Sequence, residues 1–63
     1  MEINRIIGQN IKKLRIEKGY SQEQLADVMN VTTGAVSHYE NGVRAIPIEE
    51  LVKLSKFFHI AVD

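Results

Sequence analysis

Apolar positions along the chain recur with helical spacing. Ile3, Ile7, Ile11 and Leu14 share one face at about 100° per residue, which predicts a helix over residues 3–18. Gly19 supplies a left-handed residue at its end. Ser21 followed by Gln24 has the form of a capping box, so a second helix begins at Gln22 and turns Leu25, Ala26 and Met29 inward. Asn30 is a non-glycine residue that tolerates a left-handed turn, and Thr32 can cap a third helix over residues 33–40. Asn41 and Gly42 stop that helix, and a loop runs through Ala45. Pro47 suits the first position of a fourth helix, with Glu49 and Glu50 favourable against its N-terminal dipole. Its buried stripe is expected to be Ile48, Leu51, Leu54, Ser55 and Phe58. Ile60 and Val62 in the tail are positioned to cover the end of the core or to pair with another subunit. The pattern is all-α.

A chain of 63 residues is expected to form a single domain, 1–63, with a modest core and no room for a separate catalytic domain. No cysteine is present, so packing alone must hold it. The apolar runs are too short for a membrane span or a signal peptide, and a soluble, cytoplasmic protein is expected. No repeat, low-complexity segment or linker interrupts the sequence. Eight basic residues balance eight acidic ones, which argues against a strongly basic nucleic-acid module but not against a local basic surface. Arg5, Lys12, Lys13, Arg15 and Lys18 outnumber Glu2 and Glu17 in the first 18 residues. Taken alone, that segment reads better as a solvated helix face than as a binding surface.

Catalytic and metal chemistry find no support. His38 and His59 have no cysteine and no carboxylate arrangement with metal-ligand spacing. Glu49 and Glu50 are adjacent on a helix and point about 100° apart, a poor geometry for a cooperating acid and base. Ser21, Ser37 and Ser55 lack any nucleophile setting, and there is no glycine-rich phosphate loop. The expectation is a protein that is not an enzyme and needs no cofactor or metal.

The third helix carries the sharper signal. Thr33, Gly34, Ser37, His38 and Asn41 fall within about 140° on one side, and Ala35, Val36 and Tyr39 on the other. The polar face is small and free of acids, so it can approach a polyanion closely. Small polar residues are also what an idle surface carries, and both readings stay open on this face alone. The interval before the helix is about three residues, the length of a helix-turn-helix turn.

The run Ser21-Gln22-Glu23-Gln24-Leu25-Ala26-Asp27, then Val31, Val36-Ser37, Tyr39-Glu40-Asn41-Gly42 and Arg44, resembles the Cro and phage-repressor, or XRE-type, helix-turn-helix family. The likeness extends from Ile7-Gly8 and Leu14-Arg15 to Leu51 and Leu54. It implies a lambda-repressor-like bundle of four or five helices, with helix two bracing helix three and helix three lying in the major groove of double-stranded DNA. Carried over by position, Thr33, Gly34 and His38 match base-reading residues. Gln22 matches a phosphate-gripping residue, Asn41 and Arg44 fall in the backbone-clamping segment, and Thr32 and Ser37 are additional backbone contacts. Arg15 and Glu40 match a structural ion pair. The implied function is a transcriptional repressor, bound as a homodimer, formed in solution or only on DNA, to a near-palindromic operator.

Three features depart from the family pattern. Gly34 offers no side chain where many relatives have one. Ile46-Pro47 stands where proline followed by serine is more usual, which shifts the entry to helix four. The sequence ends at Asp63, where relatives commonly continue into an apolar helix or a sensing domain. Two other readings fit the same sequence: an antitoxin-type regulator that also binds a toxin, and a protein-interaction module without DNA binding, consistent with the zero net charge.

Overall fold

Residues 3–59 are described by the computed structural model. Within them the chain forms four helices, α1 (Ile3–Glu17), α2 (Gln22–Met29), α3 (Thr33–Glu40) and α4 (Ile48–Phe58), and no strand. Ile60 and Val62, proposed above as a cover or a subunit contact, lie outside the described residues.

Three helix ends close in the same way. A left-handed residue, Gly19 (φ 80°), Asn30 (φ 58°) or Gly42 (φ 75°), turns the chain back after α1, α2 and α3 respectively. The next residue's N–H then reaches a carbonyl in the last turn: Tyr20 to Arg15, Val31 to Ala26, and Val43 to His38. Carbonyls that a helix end would leave without partners are thereby satisfied. At the start of α2 the capping box is complete, with the Gln24 N–H donating to Ser21 Oγ at 3.0 Å and the Ser21 N–H donating to Gln24 Oε1 at 2.8 Å. Thr32 Oγ1 accepts from the Ala35 N–H at 3.1 Å and opens α3. Only Asn30, Val31 and Thr32 separate α2 from α3, and each has a local structural task.

The core is built from all four helices. Leu25, Val36 and Phe58 are almost completely enclosed, with Ile11, Ala26, Met29, Ala35, Tyr39 and Leu54 around them. Enclosing each large side chain contributes roughly 1.5–3 kcal/mol. The rings of Tyr20 and Phe57 meet at a tilt of 48° with centroids 4.8 Å apart, fastening the turn after α1 to α4. α3 packs against α1 and α2, and α2 packs against α4.

Two expectations about α4 need correction. Pro47 is the N-cap, not the first helical residue: its ψ of 147° is extended, and its carbonyl accepts from Glu50 and Leu51. Ile46, the residue before it, packs against the core instead of serving as a cap. Ile48 is 64% exposed, because it sits at the edge of the buried arc, about 70° from its middle. Ile3 is likewise exposed in the first turn of α1. Ser55 is buried as expected, and its hydroxyl donates to the Val52 carbonyl at 2.8 Å.

Glycine lets α1 approach α3. A Cβ on Gly8 would stand 2.7 Å from the Glu40 carbonyl oxygen and closer still to that of Tyr39. The far end of α3 therefore rests directly on the backbone of α1. Gly42 is pressed against α1 in the same region, where a Cβ would lie 2.7 Å from Arg5 Cα.

Candidate nucleic-acid interface

Helical phase and packing divide α3 into two sides. Ala35, Val36, Tyr39 and Glu40 are buried. Thr33, Gly34, His38 and Asn41 are exposed, and Ser37 is half-buried. Thr32 before the helix and Arg44 after it are also exposed. Thr32 uses a lone pair of Oγ1 on the cap, which leaves its O–H as a donor. Asn41 Nδ2 lies 3.4 Å from Ser37 Oγ, a long contact that holds neither side chain firmly.

Beneath the C-terminal end of α3 lies a buried polar hub. The Glu40 side chain is 1% exposed and that of Arg15 11%. Arg15 Nε donates to Glu40 Oε2 at 2.6 Å and Arg15 Nη2 to Oε1 at 3.2 Å, a two-pronged geometry suited to guanidinium and carboxylate. Arg15 Nη1 also donates to the Tyr20 carbonyl at 2.9 Å. Gln22 Nε2, from the first residue of α2, donates to Glu40 Oε1 at 3.0 Å. Gln9 Nε2 donates to the Glu40 backbone carbonyl at 3.1 Å. Side chains from α1 and α2 thus converge on one residue of α3, and the hub fixes how α3 sits on its supports.

Gln22 therefore has a structural partner that the sequence did not suggest. One of its two amide hydrogens is engaged by Glu40, and the other remains available to an outside acceptor. Gln9 and the close approach at Gly8 were also missed as supports of α3. A glycine inside a helical run, where its flexibility is a disadvantage, is the signal that marks Gly8.

Charge on this side of the molecule follows from burial. Between Asp27 and Glu49 the only acidic residue is Glu40, and it is enclosed and paired with Arg15. The exposed surface from residue 28 to residue 48 consequently carries no carboxylate, while Arg44 contributes a cation. Arg15, one of the bases of the first segment, is turned inward to Glu40. Among the described residues no helix is long and apolar enough to cross a membrane. No group of three or more His, Cys, Asp or Glu among them is placed to hold a metal.

The sequence and the fold are both shared with known proteins. The helix-turn-helix family profile matches residues 11–63. The chain is 34% identical over 58 residues to the SPbeta prophage-derived uncharacterized HTH-type transcriptional regulator YonR of Bacillus subtilis, covering 92% of this chain and 54% of that protein. It is 36% identical over 62 residues to the uncharacterized HTH-type transcriptional regulator RP497 of Rickettsia prowazekii, with coverages of 98% and 48%. The HTH-type transcriptional activator BcrR of Enterococcus faecalis is 36% identical over 63 residues, which cover 100% of this chain and 29% of that protein. The chain thus spans about half the length of the first two of these relatives. Among solved structures, the restriction-modification controller protein C.AhdI of Aeromonas hydrophila superposes with a TM-score of 0.82 at 31% identity, over 92% of this chain and 84% of that one. With a family match over most of its length and the same helical architecture, this chain belongs to the XRE-type helix-turn-helix family of transcriptional regulators.

Proposed function

We propose that residues 1–63 act as one domain that binds double-stranded DNA sequence-specifically, laying α3 in the major groove. The observation that carries this reading is that the exposed residues of α3 and of the segments flanking it, 28–48, include no carboxylate. In this reading Thr33, Gly34 and His38 meet base edges, while Gln22, Thr32, Ser37, Asn41 and Arg44 hold the sugar-phosphate backbone. The hub on Glu40 keeps α3 at a fixed angle while it reads.

An eight-residue helix is about 12 Å long and faces only three or four base pairs. So short a site is too frequent in a genome to be specific. Two copies related by a twofold axis double it, and their reading helices would meet successive major-groove segments about 34 Å apart on a near-palindromic operator. Occupying a groove excludes other proteins from it, which supports repression as the action proposed for a domain of this kind, in the cytoplasm. Fluorescence anisotropy with labelled duplex DNA across a salt series tests the reading. Affinity should fall linearly with salt on logarithmic axes. Failure to bind any duplex at about 50 mM salt would refute it.

A further inference from the structure

Gly34 is the glycine that the fold does not explain. Gly19 and Gly42 have positive φ, and Gly8 is in close backbone contact. Gly34 has an ordinary helical backbone, and a Cβ built on it meets nothing nearer than Thr32 Oγ1 at 3.9 Å. Alanine would fit, and it would stabilise the helix, because glycine is the poorer helix former. What the missing methyl leaves is a notch in the exposed face of α3, with Ser37 and His38 on either side by helical phase and Thr33 adjacent.

We propose that this notch seats the C5 methyl of a thymine, making Gly34 a specificity-determining position for an A·T pair. The inference rests on the DNA-reading role of α3 proposed above. A bare Cα gives no side-chain hydrogen bond, so it gains nothing from the donors and acceptors that line the major groove. The group there that needs room and no hydrogen bond is the thymine methyl. It also matches in size what glycine omits. Seating it brings the backbone of α3 nearer the base edges and lets Thr33 and His38 reach them.

The test uses an operator selected from a random duplex library by the wild-type chain. Wild type and Gly34→Ala are compared for melting temperature, for affinity to that operator, and for affinity to versions in which each thymine in turn is replaced by deoxyuridine. Gly34→Ala should melt about 2–5 °C higher and bind the operator roughly 10-fold more weakly. At one thymine per half-site, removing the methyl should restore the variant to near wild-type affinity. A lower melting temperature would overturn the premise that the fold leaves the position free. Undiminished affinity of Gly34→Ala, or a loss that no thymine replacement relieves, would overturn the seat while leaving DNA reading intact. Absence of wild-type binding to any duplex would instead remove the DNA reading, and the seat with it.

Discussion

Removing the Glu40 side chain probes the hub that holds α3. Glu40→Ala takes away the acceptor of two Arg15 bonds and one Gln22 bond. The guanidinium, 11% exposed, is left with the Tyr20 carbonyl as its remaining partner. Breaking a buried ion pair from one side costs about 3–5 kcal/mol, because the remaining charge stays desolvated without compensation. A chain of 63 residues has about 3–9 kcal/mol of total stability, so the loss is comparable with the whole. Urea denaturation followed by circular dichroism should show Glu40→Ala without a folded baseline, or with a midpoint near zero denaturant. The double variant Arg15→Met/Glu40→Leu removes both charges and replaces them with apolar bulk. It should recover most of the lost stability, because uncharged replacements of buried pairs are often neutral or better. A Glu40→Ala unfolding free energy within about 0.5 kcal/mol of wild type, a size ordinary for surface substitutions, would refute the reasoning.

Further outcomes follow from the same geometry. Gly8→Ala should force α1 away from the end of α3 and lower stability by about 3 kcal/mol in urea titration, since its Cβ would meet backbone atoms that cannot swing aside; a loss under about 0.5 kcal/mol would show that the helices separate freely. Gln22→Ala should destabilise by about 1.5–3 kcal/mol through the bond to Glu40 and should weaken DNA binding with little change in its salt dependence, both read from calorimetric melting and anisotropy. Arg44→Ala should weaken binding to all duplexes alike and reduce the salt slope by about one unit, a change absent if Arg44 is idle surface.

Helix boundaries were legible because their signals are local. Ser21 with Gln24, Asn30, Thr32 and Gly42 each act on backbone groups within a few residues of themselves, so sequence order suffices to place them. Burial was less legible at the edges. The periodicity that includes Ile3 and Ile48 marks their helical phase, but exposure depends on whether another element covers that end of the helix. Proline at position 47 was misplaced by one residue because its fixed φ suits both the cap and the first helical position, and only its extended ψ of 147° distinguishes them.

The supports of the candidate site were hidden for a different reason. Gln9 reaches a residue 31 positions away and Gln22 one 18 positions away, and such meetings depend on how helices cross. The pairing of Arg15 with Glu40 was suggested by family resemblance and not by spacing, since nothing local joins residues 25 apart. The outward placement of Thr33, Gly34 and His38 needed only the helical phase and one buried side. Gly34 changed meaning most: in sequence it is a lost contact, and in three dimensions it is open space on an exposed face.

The claim that α3 reads DNA is tested most directly by selecting duplexes from a random library with the wild-type chain, Thr33→Ala and His38→Ala in parallel. The wild type should enrich a near-palindrome with half-sites roughly one helical turn apart. Each variant should lose preference at its own position in both half-sites, by about 1–3 kcal/mol of discrimination, with non-specific affinity nearly kept. An identical enriched sequence from all three chains, or no enrichment by the wild type, would contradict the account.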